Sequence, residues 1–100
     1  MSLITLTMIE ERQWIEEHLA VILAYLKNKF PNYTIMEKSA PSMYHMFIVT
    51  SVELNMSHML KVMWPRLSDR STTPAKTQAA LDMDDVAGRM IQAGGNYFQW

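Results

Sequence analysis

The longest apolar repeat in the chain constrains its fold more than any other feature. Apolar residues recur at helical spacing over residues 15–30, and Pro31 ends the run because proline cannot continue a helix. The stretch "TMIE" places Thr7 three residues before Glu10, which is the spacing of a capping box. The pattern therefore predicts one long helix over about residues 8–29. The repeating positions are Ile15, Leu19, Ile22, Leu26 and Phe30.

A second stripe widens the apolar side of this helix. Trp14, His18, Val21 and Tyr25 flank the first stripe, and the combined arc covers roughly 200° at 100° per residue. A helix that covers an open sheet buries a stripe of little more than about 100°. We therefore expect the edge of Trp14, Val21 and Tyr25 to be covered by the second helix, the aromatic C-terminal segment or another chain.

Three segments after the helix have strand character. Residues 33–38, "YTIMEK", alternate weakly, and "MYHMFIVTSV" is β-branched and aromatic with apolar residues on both faces. The run "MLKVMW" predicts a third strand that Pro65 ends, because proline gives no donor to the strand ladder. Residues 52–64 could also form a helix, and both alternatives stay open at this point.

A second helix is predicted in the last third of the chain. After the polar connector "PRLSDRSTT", Thr73 and Pro74 form a helix start with proline at its first position. The helix would run towards Gly94 and Gly95, which supply a left-handed C-terminal stop. Asp82 could cap a fresh helix and split this element in two.

The order helix, three strands, helix indicates an α+β fold. We expect a two-layer α-β-β-β-α arrangement, in which two helices pack on one face of a three-stranded antiparallel sheet. One hundred residues is the size of one ordinary domain, so we predict a single small domain over residues 1–100.

The composition excludes several classes of protein. Nine basic against ten acidic residues argue against a phosphate-binding surface, and the absence of cysteine excludes disulfides and thiolate metal sites. No run approaches 18 apolar residues and no signal peptide is evident, so we expect a cytoplasmic protein without a membrane partner. The ten methionines are either core filler or part of a surface that accepts a partner.

Four short features resemble the double-stranded RNA-binding domain. They are "PNY" with Tyr33, the "AP" turn ending at Pro41, Phe47, and "AKTQAA" at 75–80. That family has a tyrosine in its first strand, a Gly-Pro turn followed by a histidine, a phenylalanine in its second strand and an Ala-Lys-x-x-Ala-Ala run in its last helix. The resemblance spans about residues 15–83 and implies the same α-β-β-β-α order.

The departures from that family fall on its RNA-contacting residues. The resemblance implies contacts to phosphates and ribose hydroxyls, and it implies that a lysine cluster at the start of the last helix makes the phosphate contacts. In this chain, Lys76 is the single lysine at that position. Ala40 replaces the turn glycine and Met43 replaces the histidine. Binding through few cations is weak and sensitive to salt. Weak double-stranded RNA binding is therefore the alternative prediction, and its residues would be Lys61, Arg66, Arg70 and Lys76.

The chemistry-bearing residues do not form a catalytic pattern. His18, His45 and His58 lack metal-ligand spacing, and the aspartates of "DMDD" spread around a helix without the glycine and glutamate of a calcium loop. The sequence contains no nucleophile elbow, phosphate-binding loop or dinucleotide fingerprint. We therefore predict a non-enzymatic protein with no catalytic residues, no metal and no cofactor.

The segment "GGNYFQW" supplies the last candidate surface. Its aromatics would either fold back on the edge of helix one or anchor a second subunit or a foreign partner. The leading prediction is a protein–protein interaction module, a small adaptor, inhibitor or regulator, that self-associates as a homodimer. Its predicted partner-binding residues are Trp14, Val21, Tyr25, Tyr97, Phe98 and Trp100.

Overall fold

The computed structural model describes residues 3–100, with side chains from Glu10 onward. It is an α+β fold of four helices and four strands in the described residues. In chain order the elements are α1 (Leu3–Lys29), β1 (Thr34–Ala40), β2 (Tyr44–Ser51), β3 (Met56–Met63), α2 (Trp64–Ser68), α3 (Pro74–Met83), α4 (Val86–Gln92) and β4 (Tyr97–Gln99). None of these helices is both long and apolar enough to span a membrane.

The sheet is mixed and has four strands in the order β1-β2-β3-β4. Strands β1, β2 and β3 are antiparallel neighbours, as predicted, and Met56–Met63 is a strand rather than a helix. The prediction of three strands is wrong, because β4 pairs in parallel with β3. A parallel pair needs a crossover connection, and α2, α3 and α4 form that connection here.

Helix α1 is longer at its N-terminus than predicted. It spans 27 residues from Leu3, four residues before the predicted cap at Thr7, because no glycine or proline in that stretch stops the helix. The side-chain contacts of Thr7 lie outside the described residues. The C-terminal end agrees with the prediction, since α1 ends at Lys29 and Pro31 follows. Lys27 and Lys29 in its last turn interact favourably with the helix dipole.

The predicted second helix is two helices, α3 and α4, and the predicted polar connector before it contains a further short helix, α2. Helix α2 begins at Trp64 with Pro65 in its first turn, where the missing N–H costs no intrahelical bond. Helix α3 begins as predicted, with the Thr73 hydroxyl accepting from the Lys76 amide at 3.3 Å. The break that was predicted at Asp82 falls at Asp85, which has φ 47°.

Asp85 is the N-cap of α4. Its carboxylate accepts from the Gly88 amide at 3.3 Å. A Cβ at position 88 would overlap that carboxylate, so a larger residue there would have to displace the Asp85 side chain from this position. The local geometry, rather than apolar periodicity, therefore decides where the last helical segment divides.

The core lies between the helices and one face of the sheet. Phe47, Val49, Leu60 and Val62 alternate along β2 and β3 and are fully buried. Each such side chain contributes about 1.5–3 kcal/mol of transfer free energy. The helices cover this inner face with residues from all four of them, namely Ile22, Leu26, Leu67, Leu81, Val86 and Met90. The opposite face of the sheet has no helix on it in the described structure.

Candidate functional site

The uncovered face of the sheet is the most distinctive surface of the molecule, and we call it the open face. Side chains alternate between the two faces of a strand, and in β2 and β3 the buried residues alternate with less buried ones over Phe47–Ser51 and His58–Val62. The residues between them point away from the helices, and all of those on the four strands keep some exposure to solvent. The strand register groups these outward side chains into rows that cross the sheet.

One row is apolar across all four strands. Met36 on β1 lies opposite Ile48 on β2, Ile48 lies opposite Met59 on β3, and Met59 lies opposite Tyr97 on β4. Met36 is 57% exposed and Tyr97 is 46% exposed, whereas the two central residues are partly buried. We call these four residues the apolar row.

The rows on either side of the apolar row differ from each other. On one side, Lys38, Met46, Lys61 and Gln99 follow one another across the strands, and we call them the lysine row. On the other side, Thr34, Thr50 and Ser57 form a hydroxyl row, in which the Thr50 and Ser57 hydroxyl oxygens are 3.4 Å apart. The open face is therefore cationic along one flank and neutral along the other.

The Lys61 ammonium contacts two aromatic rings of the open face. Its ammonium lies 4.3 Å from the centroid of the Tyr44 ring and 4.8 Å from that of Tyr97. Such cation–π contacts contribute about 0.5–1 kcal/mol at exposed sites. No outward position on the strands of the described chain carries an aspartate or glutamate. Lys61 therefore presents a positive charge next to the apolar row.

Tyr25, predicted as a partner contact, lies in the core of the subunit. It is 4% exposed, and its hydroxyl accepts a hydrogen bond from the Ala87 amide at 3.0 Å. That amide is in the first turn of α4 and has no partner within the helix. Val21 is partly buried against the same core. The wide apolar arc of α1 is thus covered by the helices α2, α3 and α4, which is one of the alternatives that the sequence left open.

Trp14 packs at the outer end of the same arc. The centroid of its ring lies 4.8 Å from that of the buried His18 and 5.2 Å from the Arg70 guanidinium. The two ring nitrogens of His18 face the carbonyl oxygens of Trp14 and Thr72, at 2.8 and 2.6 Å. These contacts attach the connector before α3 to helix α1.

The aromatic C-terminal segment folds back within the subunit, but on β3 rather than on the edge of α1. The Trp100 amide donates to the Lys61 carbonyl at 2.8 Å, and the Met63 amide donates to the Trp100 carbonyl at 3.0 Å. The Trp100 indole is buried and donates to the Asp84 carboxylate at 2.9 Å. Phe98 is partly buried on the inner side, whereas Tyr97 lies on the open face.

The four cations predicted for RNA do not form one surface. Lys61 lies on the open face, whereas Arg66, Arg70 and Lys76 belong to the helical layer on the opposite side of the sheet. The Arg66 guanidinium stacks 3.9 Å above the Trp100 ring. Burial lowers its pKa, and the nearby Asp84 carboxylate partly offsets that shift. The Lys76 ammonium donates a hydrogen bond to the Ser71 carbonyl oxygen at 3.2 Å.

The other two histidines lie in different surroundings. His45 bonds to the Glu37 carboxylate at 2.9 Å, and His58 is buried beside the rings of Phe30 and Tyr33. From Glu10 to Trp100, no group of three or more histidine, aspartate or glutamate side chains converges as a metal site would require.

Sequence reasoning missed the apolar and lysine rows, although part of the signal was present. The sequence is rich in methionine, and six of its ten methionines lie from Met36 to Met63 in the strand region. Assigning Met36, Met46 and Met59 to one face requires the strand register, which depends on the pairing across the sheet rather than on local sequence.

Comparisons of the chain with protein-family models, with curated proteins and with solved structures found no match. The resemblance to the double-stranded RNA-binding domain therefore stays a prediction from a few residues.

Proposed function

We propose that this protein is a non-enzymatic module that binds another protein through the open face of its sheet. The observation that carries the proposal is the apolar row, which crosses all four strands and stays accessible to solvent in the folded subunit. Contiguous exposed apolar patches are typical of interaction sites.

The residue types on the open face support protein recognition. Methionine is flexible and polarizable, so it adapts to the shape of a partner better than branched side chains do. Met36, Met46, Met59 and Met63 all point outward, whereas the inner face of β2 and β3 uses phenylalanine, valine and leucine. The chain therefore places its adaptable side chains where no helix fixes them.

The predicted partner contacts have different roles in this proposal. Tyr97 contacts the partner, because it is exposed on the open face. The other five predicted contacts stabilise the fold of the subunit and do not touch the partner. They are Trp14, Val21, Tyr25, Phe98 and Trp100. Self-association is not required, and light scattering tests it independently.

Double-stranded RNA binding remains the alternative, and the arrangement of its cations gives it little support. Each phosphate contact contributes to affinity through counterion release, but Lys61 is on the face opposite Arg66, Arg70 and Lys76. A titration of labelled duplex RNA at 50 and 200 mM salt tests it. Micromolar or tighter binding that weakens steeply with salt would favour RNA over a protein partner.

Affinity capture from the source cells, with matched variants, tests protein docking. Met59→Lys places a charge in the apolar row, and Gln78→Lys places the same charge on the exposed side of α3, away from the open face. We expect at least one protein to be retained by the wild type and by Gln78→Lys but lost with Met59→Lys, at unchanged melting temperature and after nuclease treatment. Loss in neither variant, or equal loss in both, would contradict docking on the apolar row.

A further inference from the structure

We infer that the partner docks as an amphipathic helix whose acidic residues lie along one side of its apolar stripe. This inference rests on the proposed function and adds the chemistry of the occupant. Two observations carry it: the charges on the open face and the size of that face.

The charges on the open face have one sign. Lys38 and Lys61 are the charged residues among the outward positions of the described strands, and neither has a carboxylate from its own subunit across the face. Complementary charges across an interface steer association and fix its register, whereas like charges placed together are costly. The matching partner therefore brings carboxylates to the two lysines.

A second copy of this chain does not meet that requirement. Stacking two open faces would bring four lysines together without one outward-facing carboxylate, since each copy contributes Lys38 and Lys61. The face is also small. Four strands spaced about 4.8 Å apart, with outward residues along about 20 Å, give roughly 300 Å² in projection. A stable dimer buries about 800 Å² on each partner.

One helix fits these dimensions. An α-helix with its side chains is about 10–12 Å in diameter. The lysine and hydroxyl rows lie four residues apart along the strands, or about 14 Å, so a helix that crosses the strands over the apolar row fits between them. The apolar stripe of such a helix would cover Ile48 and Met59 and reach the more exposed Met36 and Tyr97 at the edges. The occupant is therefore a single amphipathic helix rather than a folded surface of ordinary interface size.

The rows on the two sides of the apolar row indicate which side chains the docked helix carries on each side of its apolar stripe. The lysine row lies on one side, with Lys61 held in place by the rings of Tyr44 and Tyr97. The hydroxyl row of Thr34, Thr50 and Ser57 lies on the other side. Carboxylates are therefore favoured on one flank of the apolar stripe, and neutral hydrogen-bonding side chains on the other.

A display library tests this inference with the complete chain. The probes are 18-residue helical peptides with a fixed stripe of leucine and methionine, in which each flanking position is glutamate, lysine or glutamine. Selection on the immobilised protein is expected to enrich glutamate on one flank. For the best peptide, we expect the Kd to rise at least tenfold with Lys38→Glu/Lys61→Glu and with Met59→Lys, and less than twofold with Gln78→Lys, which places a charge on the exposed side of α3 away from the open face. The charge-reversed double variant should in turn enrich lysine on the same flank.

The other outcomes separate the inference from the proposed function. Enrichment of lysine or glutamine on the wild type, with binding that still depends on Met59, would overturn the acidic helix and leave protein docking in place. No enrichment, or binding that Met59→Lys does not change, would overturn both. A dimer in light scattering that Met59→Lys dissociates would assign the face to a second copy and overturn the inference. A labelled 20-nucleotide oligonucleotide that binds the wild type but not Lys38→Glu/Lys61→Glu would overturn it in favour of nucleic acid.

Discussion

The two faces of the central strands carry different kinds of apolar side chain. On the inner face, Phe47, Val49, Leu60 and Val62 have 0% exposure and interlock with the helices. On the open face, Met46, Ile48 and Met59 keep part of their surface in water. Close-packed interiors penalise small changes of volume, whereas a half-exposed surface does not. Residues that alternate along one strand thus stabilise the fold on one side and remain free to bind on the other.

The largest expected difference in the free energy of unfolding is between substitutions of two aromatic residues that lie on opposite sides of the C-terminal segment. Trp100→Ala removes a buried indole, its hydrogen bond to Asp84 and its stacking with Arg66, so we expect a loss of about 3–5 kcal/mol in the free energy of unfolding. Tyr97→Ala removes a ring that is 46% exposed, and we expect a loss of at most about 1 kcal/mol. Denaturant unfolding of both variants measures the difference.

Trp100→Phe is the control for this comparison. It keeps an aromatic ring in the core but loses the indole N–H, so its stability should fall between those of the wild type and Trp100→Ala. If Tyr97→Ala were as destabilising as Trp100→Ala, the distinction between the two sides of this segment would be wrong.

A second, smaller effect compares neighbouring residues on β3. Leu60→Ala creates a cavity on the inner face, and we expect a loss of about 2–5 kcal/mol. Met59→Ala shortens a partly exposed side chain on the open face, and we expect a loss below about 1 kcal/mol. The same denaturation experiment applies to both. Equal losses would show that the open face is packed like a core and would count against its role as a docking surface.

A third effect concerns the helices that close the inner face. Tyr25→Phe leaves the buried Ala87 amide without its acceptor, and an unsatisfied buried donor costs about 1–3 kcal/mol. Tyr33→Phe is the matched control, because Tyr33 is only partly buried and packs through its ring on Phe30. We expect the control to change the free energy of unfolding by less than about 0.5 kcal/mol. A similar loss in both variants would contradict a capping role for Tyr25.

The smallest effect depends on pH and lies in the connector before α3. Hydrogen bonds from the Ser71 hydroxyl and amide, and from Thr72, hold the pKa of Asp69 below its ordinary value of 3.8. A carboxylate with a lowered pKa in the folded state stabilises the protein above its unfolded pKa, and that contribution is lost as pH falls through the folded pKa. Asp69→Asn should therefore lower Tm slightly at pH 5–7.

The difference in Tm between the wild type and Asp69→Asn should shrink as the pH falls below about 4. Asp82→Asn, which changes an exposed carboxylate on α3, serves as the control in thermal melts across the same range. A difference that stays constant with pH would argue against the hydrogen-bonded carboxylate as its source.

Local sequence signals predicted the elements that depend on local physics. The repeat from Ile15 to Phe30 and the break at Pro31 predicted α1 and its end, and Thr73 with Pro74 predicted the start of α3. Helical spacing, proline geometry and capping operate within a few residues, so they are readable without the fold. The same signals did not predict α2 or the division at Asp85, where a left-handed residue and Gly88 decide the geometry.

By itself, the sequence determined that this chain forms a long amphipathic helix followed by strands and a further helical region. Only the tertiary structure decided that Tyr97 and its neighbours add a parallel strand to β3, and that α2, α3 and α4 cover the wide arc of α1. It alone also placed Met36, Ile48, Met59 and Tyr97 in one row beside two lysines. The physical reason is that strand register and helix packing are fixed by contacts between residues far apart in the chain, and those contacts leave no periodic signal in any local segment.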